Sequence, residues 1–338
     1  MDLGTVPVTL EVPVLCACGI RVRRTQHSAP PLLRRVRHEF STSAKLNIQY
    51  SSVSTYRHPG AHFCMNFGYI VFYAGIRRWN TLYKLLELIE ESNRICAFTG
   101  AGISTFCGIP DFRGPNGVYR DNDSQRMFEI DLFDSDPAFF YSRADRLVYG
   151  NADTKPGPVH TALKVMQEHG KLNGVITQNI DGLHERAGSE PVYAVHGSAA
   201  FHRCRKCGNT KTFEEIQQLR VGTANKVPGC SCGGVYKPDI TFFGEMLPEK
   251  AFQGAIDLAS SSDLILVLGT SLTVQPASSI PLHTLRNGGK MVIVNSSPTP
   301  NDSLAWICYK DLAEFAVRVT KFFSGSKDVK MSDDEISG

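Results

Sequence analysis

Apolar residues recur at the spacing of one helix face in the stretch that begins near residue 80. The four positions are Leu82, Leu85, Leu86 and Ile89. This pattern predicts a helix over residues 81–92. We also predict helices over residues 159–169 and 312–323.

Short apolar runs of strand length alternate with these helices. They lie at residues 95–99, 174–177, 264–268 and 291–294. Strands that alternate with helices are typical of a parallel sheet covered on both faces, so we predict an α/β, Rossmann-like fold. The cysteine-bearing stretch 197–238 interrupts the alternation, and we expect it to form a small inserted module.

The two ends of the chain differ from this regular part. Residues 1–79 are rich in arginine and contain only three acidic residues. Their Arg- and Ser-rich run at 34–43 is typical of an organelle transit peptide. The alternative, which we favour, is a disordered extension or sequence upstream of a start at Met65, because the first twenty residues have no amphipathic basic pattern. We expect the polar tail 324–338 to be disordered.

Composition narrows the classes of function. Of the 338 residues, 42% are hydrophobic, which is enough to bury a large core. The net charge of +3 gives no reason to expect nucleic acid as an obligate partner. No stretch approaches the roughly 20 consecutive apolar residues of a membrane-spanning helix. We therefore expect no membrane partner.

The ten cysteines are unevenly distributed, with four of them between residues 204 and 232. The others are scattered, which is not typical of a disulfide framework, so a reducing intracellular compartment fits best. We expect a cytoplasmic protein. The mitochondrial matrix is the alternative if the Arg-rich N-terminal stretch is a transit peptide.

The clustered cysteines form two close pairs, Cys204-x-x-Cys207 and Cys230-x-Cys232. Four thiolates in two pairs suit one tetrahedral Zn²⁺ in a closed structural site. Redox-active cysteines are the alternative, but one pair would suffice for redox chemistry. We predict zinc with a structural role, since four protein ligands leave no open position for catalysis.

A glycine turn, Gly100-Ala101-Gly102, follows the first predicted strand. Glycine lets the backbone turn tightly and approach a phosphate, whose charge the N-terminus of a following helix would meet. The third glycine of the dinucleotide-binding pattern is displaced to Gly108, so a plain strand-to-helix turn remains the alternative.

Further motifs follow this turn in a definite order. They are Gly108-Ile-Pro-Asp-Phe-Arg-Gly114, Thr177-Gln-Asn-Ile-Asp-Gly-Leu-His184, His196-Gly197, Lys237-Pro-Asp-Ile-Thr-Phe-Phe-Gly-Glu245 and Gly269-Thr-Ser-Leu272. The set resembles the sirtuins, the NAD-dependent protein deacylases, and is most similar to bacterial and archaeal-type members. The resemblance covers about residues 80–322, and we expect a catalytic domain over 80–323.

The resemblance implies a site for NAD as co-substrate. Contacts to the diphosphate, the ribose rings, the carboxamide and the adenine end are implied for Gly100, Ala101, Gly102, Thr105, Phe112, Arg113, Gln178, Asn179, Ile180, Asp181, Gly269, Thr270, Ser271, Asn295, Ser296 and Asp311. Phe112 would shield the reacting ribose from water. Asn179 would hold ribose hydroxyls and is counted with the catalytic residues.

His196 is the predicted catalytic base. Histidine suits proton transfer near neutral pH. A lone histidine before glycine is more often a loop or core residue, and only the surrounding motifs favour the catalytic interpretation. We interpret the other histidines of this region as surface or packing residues. They are His160, His169, His184 and His202.

The predicted substrate contacts are Thr241 and Phe243, which alternate on one side of an extended segment. Such a segment can accept a peptide by strand addition, although an ordinary strand with aromatic core residues is the alternative. Sirtuins usually have valine in place of Thr241. Relatives that prefer succinyl or malonyl groups carry a Tyr-x-x-Arg pair, but Tyr141 is followed by Ala144. A neutral acyl group, acetyl or longer, is therefore expected.

The function implied by the resemblance is NAD-dependent deacylation of protein lysines. The products would be free lysine, nicotinamide and O-acyl-ADP-ribose, and the partners would be acylated proteins or peptides. Mono-ADP-ribosyl transfer to protein at the same NAD site is the alternative. A zinc-ribbon interaction module with an inactive NAD fold is disfavoured, because the full series of motifs is present.

Overall fold

The computed structural model describes residues 36–39, 45–48, 81–114, 117–120 and 122–325. Two strands of the N-terminal stretch, β1 (Val36–Glu39) and β2 (Lys45–Ile48), pair antiparallel and belong to a unit of their own. The other expectations for residues 1–79, and those for residues 326–338, lie outside the described residues. Among the helices described, none is long and apolar enough to cross a membrane.

Six parallel strands form the main sheet, in the order β11-β10-β9-β3-β4-β5. The strands after β2 are β3 (Ile95–Thr99), β4 (Leu172–Thr177), β5 (Val192–Ala194), β6 (Gly197–Cys204), β7 (Thr210–Thr212), β8 (Tyr236–Ile240), β9 (Leu264–Leu268), β10 (Lys290–Val294) and β11 (Ile307–Tyr309). The predicted parallel α/β sheet is confirmed. Each of the four predicted strands lies within one of these elements.

The helices, in chain order, are α1 (81–91), α2 (Asn122–Arg126), α3 (Ile130–Ser135), α4 (Pro137–Ala144), α5 (Pro158–Glu168), α6 (Leu183–Arg186), α7 (Phe213–Arg220), α8 (Glu249–Ser261), α9 (Pro281–Arg286) and α10 (Leu312–Phe323). The three predicted helices are present as α1, α5 and α10, with ends within one residue of those predicted. A π-helical stretch, Asp145–Tyr149, follows α4 directly. The helix caps are made by side chains where the sequence offers them, as Asp311 does by accepting the Glu314 N–H at the start of α10.

Helices cover both faces of the sheet, and the strand sequences show why. In β3, Ile95 and Ala97 pack with α1, α5 and α10, whereas Cys96 and Phe98 pack with α8. The same alternation runs through β9 and β10. Because successive side chains of a strand point to opposite faces, a strand that is apolar at every position requires cover on both sides.

A smaller lobe stands beside the carboxyl ends of the sheet strands. Its antiparallel sheet has the order β7-β6-β8. Aromatic residues make up half of its core, which joins Phe133, Phe140 and Tyr141 of α3 and α4 to Phe242, just after β8. The small lobe therefore consists of two segments, 122–149 and 197–243, whereas the sequence pattern indicated only the insertion 197–238.

The packing of α10 gives a test of the larger core. Phe315 is fully buried between α5 and the sheet, while Val317 on the same helix is about half exposed. We expect Phe315→Ala to lower the free energy of unfolding by about 3–5 kcal/mol, because it leaves a cavity. Val317→Ala should change it by less than about 0.5 kcal/mol. Urea unfolding followed by circular dichroism measures both; equal effects of the two substitutions would contradict this packing.

Candidate active site

A cleft of about 500 Å³ lies between the carboxyl edge of the main sheet and the small lobe. The strand order explains the position of the cleft. Because β3 lies between β4 and β9, the chain leaves β3 towards one side of the sheet and later returns to build the other side. The connections after these strands therefore diverge and leave a crevice beyond the strand ends. The predicted residues that line the cleft are Gly100, Ala101, Gly102, Thr105, Phe112, Arg113, Gln178, Asn179, Ile180, His196, Thr241, Phe243, Gly269, Thr270, Ser271, Asn295, Ser296 and Asp311. Asp181 is placed behind this surface.

The two glycine-containing turns, after β3 and after β9, are in direct backbone contact. The Gly102 N–H donates to the Gly269 oxygen at 2.9 Å, and the Gly100 N–H donates to the Leu268 oxygen at 3.0 Å. A Cβ on Gly102 would lie 2.8 Å from the Gly269 oxygen, and one on Gly100 would lie 2.7 Å from the Thr270 Cβ. Both positions therefore require glycine for close approach.

The chain after the first turn differs from the sequence expectation. Instead of one helix, two three-residue 3₁₀ turns follow, Ala101–Ile103 and Thr105–Cys107. Gly108, with φ of 82°, ends the second turn in the left-handed region. The N–H groups available to an anion at this turn are consequently those of the turns themselves, and a full helix dipole does not contribute.

A buried polar network forms the floor of the cleft. Asn179 donates through Nδ2 to the Gly100 oxygen at 3.3 Å and to Ser104 Oγ at 3.1 Å. Ser104 Oγ in turn donates to Asp181 Oδ2 at 2.7 Å, and Asp181 Oδ1 accepts the Leu183 N–H at 2.9 Å. These bonds satisfy groups that would be costly to bury unpaired, and they fix the orientation of the Asn179 amide.

Gln178 links this floor to the second turn. Its Nε2 donates to Thr270 Oγ1 at 2.8 Å, and Thr270 Oγ1 also accepts the Leu272 N–H at 3.2 Å. The side chains of Gln178 and Thr270 thus hold each other against the strand ends. Their remaining polar atoms face the cleft that both residues line.

His196 lies in the connection from β5 to β6, between the main sheet and the small lobe. Its Nδ1 is 2.9 Å from the Gln178 oxygen. Because a carbonyl oxygen only accepts, Nδ1 carries the proton and Nε2 is left as the basic nitrogen. Burial lowers the pKa of His196; the bond to Gln178 opposes this, and the Arg113 charge adds to it. The ring is therefore neutral near pH 7 and able to accept a proton.

Aromatic residues form the wall opposite the glycine turns. The Phe112 ring lies 5.1 Å from the Tyr119 ring and 6.2 Å from the Phe128 ring. Arg113 extends over Tyr119 at 5.0 Å and brings a positive charge to the cleft, as diphosphate binding requires. Thr105 hydrogen-bonds through Oγ1 to the Gly102 oxygen at 2.9 Å.

The far end of the cleft is polar. Ser271 follows β9, Asn295 and Ser296 follow β10, and Asp311 caps α10. Asn295 Nδ2 donates to the Ser297 oxygen at 2.7 Å, which holds the loop after β10 closed. Hydroxyl, amide and carboxylate groups of this kind suit ribose and adenine, which are rich in donors and acceptors.

The predicted substrate segment is held by both lobes. The Thr241 N–H donates to the His196 oxygen at 2.8 Å, and the Phe243 N–H donates to the Phe128 oxygen at 2.7 Å. Phe242 is buried in the aromatic core of the small lobe, while Phe243 is 40% exposed. Burial therefore alternates along the segment, and Thr241, Phe242 and Phe243 all line part of the cleft.

Four cysteines of the small lobe are positioned to bind one zinc ion. Their sulfurs all lie within 4.8 Å of one another, with 3.5 Å between Cys204 and Cys232 and 3.8 Å between Cys207 and Cys230. Four sulfurs about 2.3 Å from a tetrahedral zinc would lie about 3.8 Å apart, so the arrangement fits the metal. None of the four cysteines, all of them within the described residues, lines the cleft.

Comparisons of the sequence and the structure with known proteins point to one family. The sequence profile of the Sir2 family matches residues 100–276. An NAD-dependent protein deacetylase of Thermotoga maritima is 45% identical over 238 residues, which cover 70% of this chain and 96% of the relative. The chain belongs to the Sir2 family, the sirtuins. NAD-dependent protein deacetylase 1 of the archaeon Pyrobaculum aerophilum is 41% identical over 233 residues, 69% of this sirtuin and 91% of the relative.

Solved structures support the family assignment. A Sir2 with a p53 peptide and NAD⁺ matches this sirtuin with a TM-score of 0.67 and 43% identity, over 72% of this chain and 98% of that one. Sir2Tm bound to a propionylated peptide matches with a TM-score of 0.66 and 41% identity, over 72% and 99%. The predicted similarity to bacterial and archaeal-type sirtuins is confirmed.

Several residues at this sirtuin's site were not singled out from the sequence. Ser104 lies two residues after the glycine turn Gly100-Ala101-Gly102 and was given no role, and its position between Asn179 and Asp181 became evident only with the fold. Lys237 and Glu245 stand at the two ends of a quoted motif, and they form an ion pair. Residue order alone does not show which side chains pair.

The other histidines and Cys107 differ in how far they are buried. His160 and His184 are fully buried with ring centroids 4.7 Å apart, and burial lowers the pKa of both. His202 is buried in the small lobe, whereas His169 is exposed. Burial raises the pKa of Cys107, with Asp181 adding to the effect, so this thiol is a poor nucleophile at neutral pH.

The cysteine geometry predicts one bound zinc per chain. Cys207→Ser should weaken zinc binding at least about tenfold and lower the thermal midpoint, because it removes a direct ligand. Cys308→Ser, which changes an exposed cysteine on β11, is the matched control and should keep full zinc content. Metal analysis and thermal denaturation measure both variants. Equal zinc in Cys207→Ser and wild type would show that this cysteine is not a ligand.

Proposed function

We propose that this sirtuin removes acyl groups from protein lysines with NAD as co-substrate. The observation that carries the proposal is the double attachment of His196. Its ring is held by Gln178 at the NAD floor, and its main-chain oxygen accepts the Thr241 N–H of the substrate segment. A neutral imidazole is thereby placed where the two substrates would meet. The matched relatives carry the same activity in their names.

Different residues of the cleft are proposed to bind different parts of NAD. The contacts proposed for the diphosphate are Gly100, Ala101, Gly102, Thr105, Arg113, Gly269, Thr270 and Ser271. Gln178 and Asn179 would hold ribose hydroxyls, and Asn295, Ser296 and Asp311 the adenosine end. Ile180 and Asp181 are proposed for the carboxamide. Since the Asp181 carboxylate is bonded to Ser104, its contact would involve the Ser104–Asp181 pair or the main chain beside it.

NAD would supply the ribose carbon that takes the acyl oxygen as nicotinamide leaves. One water, consumed after nicotinamide has left, would complete the release of the amine, so the products are free lysine, nicotinamide and O-acyl-ADP-ribose. The protein's own side chains orient the two substrates, exclude water and move a proton. Nε2 of His196 accepts that proton, because Nδ1 is committed to Gln178. Phe112 closes the aromatic wall over the reacting centre and keeps water away.

The walls around the proposed acyl site favour a neutral acyl group. Phe128, Phe243 and Tyr119 surround it with aromatic carbon. Tyr141 is buried and donates to the Tyr236 oxygen, while Arg143 lies over Phe139 on the same helix, so neither is free to bind an acyl carboxylate. Solved Sir2 structures contain acetylated or propionylated peptides. We propose the same class of substrate here.

We assign residues 80–323 to the catalytic domain, with 1–79 as an extension and 324–338 as a tail. We place the protein in the cytoplasm. None of the seven cysteines in the described part of the chain forms a disulfide, which suits a reducing compartment. The mitochondrial matrix is the alternative, and N-terminal sequencing of the mature protein together with cell fractionation distinguishes the two.

The activity is tested with an acetylated peptide and NAD labelled in its adenosine. Wild type should release nicotinamide and place the label in soluble O-acetyl-ADP-ribose; label retained on protein would indicate ADP-ribosyl transfer instead. His196→Ala should lower kcat by about 10²–10⁴-fold, the usual worth of a general base. His169→Ala, on an exposed histidine, should keep wild-type activity. Full activity in His196→Ala would refute the assignment of the base.

The acid limb of the pH profile gives an independent check on His196. The neutral ring is the active form, so activity falls as pH drops through its pKa. Burial holds that pKa below the ordinary 6.5, and kcat/KM should therefore stay level down to pH 6.5 and decline only below it. The measurement is kcat/KM for NAD in the free enzyme between pH 5 and about 9. A decline that begins above pH 7 would contradict a depressed pKa.

A further inference from the structure

Glu245 connects the substrate segment to the interior of the small lobe. Its Oε2 lies 2.8 Å from Lys237 Nζ and accepts the Phe242 N–H at 2.8 Å. The Glu245 N–H donates back to the Phe242 oxygen at 3.0 Å. The carboxylate therefore closes the turn at the end of the segment from both directions. Its side chain is only 23% exposed, so solvent screens these contacts weakly.

Lys237 is the buried partner in this pair. Its side chain is 7% exposed, and Nζ donates to the Ile240 oxygen at 2.7 Å and to the Pro238 oxygen at 3.2 Å besides binding Glu245. Three acceptors thus serve the three ammonium protons. The charge also lies 4.0 Å from the centre of the Phe242 ring. Lys237 therefore spans the segment from β8 to Glu245 on its inner side.

The paired residues enclose the part of the chain that faces the substrate. The segment 240–245, which includes Glu245 itself, lines the cleft. The N–H groups of Thr241 and Phe243 bind the main chain of His196 and Phe128. A displacement of the Lys237–Glu245 bridge would shift both side chains relative to the base. The NAD floor is built from other elements, namely the turns after β3, β4 and β9.

The bridge also reaches the zinc site. Arg205, which lies between Cys204 and Cys207, places Nη1 3.9 Å from Glu245 Oε1. The same guanidinium binds Asp134 of α3 through Nε at 2.8 Å and Nη2 at 2.6 Å. Oε2 of Glu245 thus faces the buried ammonium of Lys237, and Oε1 faces the guanidinium of Arg205, which lies between Cys204 and Cys207 in the sequence. Glu245 therefore contacts both the substrate segment and the residue that follows Cys204.

We propose that the Lys237–Glu245 bridge is a positioning device that holds the segment 240–245 in register for the acylated peptide, with Arg205 linking it to the zinc-binding loop. The inference deepens the proposed deacylase function and rests on it. According to this proposal, loss of the bridge weakens binding of the acylated peptide and leaves binding of NAD nearly unchanged. Removing one partner of a buried ion pair leaves the other uncompensated, so the segment should loosen even when the lobe stays folded.

The test compares Glu245→Gln and Lys237→Met with wild type. Glu245→Gln keeps an oxygen for the Phe242 N–H and loses only the charge, so it should fold. We expect both variants to raise the KM for an acetylated peptide about tenfold, with the KM for NAD changed less than about twofold. Fluorescence anisotropy of a labelled acetylated peptide should show the same loss of affinity without turnover. Zinc analysis should show one metal per chain in each variant.

Two further variants serve as controls. Asp239→Asn removes a carboxylate from the same strand, where it pairs with Arg203 on the surface, and should leave both KM values unchanged. Lys237→Arg keeps the charge and should restore much of the peptide affinity. The proposal is overturned if Glu245→Gln leaves the peptide KM and peptide affinity within twofold of wild type, or raises both KM values alike. Absence of turnover in wild type itself would instead refute the proposed function, while peptide binding would still test the bridge.

Discussion

The backbone contact between the turns after β3 and β9 is the constraint on which the cleft depends. Neighbouring parallel strands end at the same edge, and here the two turns are close enough for the Gly102 N–H to bind the Gly269 oxygen at 2.9 Å. Gly269 has φ of 60°, and a Cβ there would lie 2.7 Å from the Ile103 nitrogen. Side chains on these glycines would force the turns apart. The two turns consequently form one continuous surface.

The rest of the site is built outward from that surface. Asn179 reaches the first turn through the Gly100 oxygen, and Gln178 reaches the second through Thr270. The Gln178 main chain then orients the ring of His196. The ring of His196, the proposed base, is thus placed by a short series of hydrogen bonds that begins at the glycine contact. Each bond is buried or half-buried, where hydrogen bonds hold their geometry best.

The sheet and the zinc cysteines were predictable because their signals are local. A strand that is apolar at every position, such as Leu264–Leu268, and two close cysteine pairs carry their meaning within a few residues. The second segment of the small lobe, 122–149, was not predicted, because α3 and α4 direct their aromatic residues at Phe242, about a hundred positions later in the chain. The hydrogen bonds of Ser104 are of the same kind, since their partners lie about 75 positions later in the chain. The contacts of Glu245 are local, but the residue order does not show which side chains of the turn pair. Most site residues were identified through resemblance, and their detailed roles remain proposals.

The four cysteines lie outside the cleft, but they belong to the lobe that forms one side of it. Four thiolates leave zinc no open coordination position, so its effect on the reaction must act through the lobe that it holds together. That lobe contributes the proposed substrate segment, whose Thr241 N–H binds the main-chain oxygen of His196, the proposed base. The ring of His196 is bonded to Gln178, which follows β4 of the main sheet. His196 is therefore aligned only when both lobes are in place, and this gives a structural metal a means of influencing catalysis without touching a substrate.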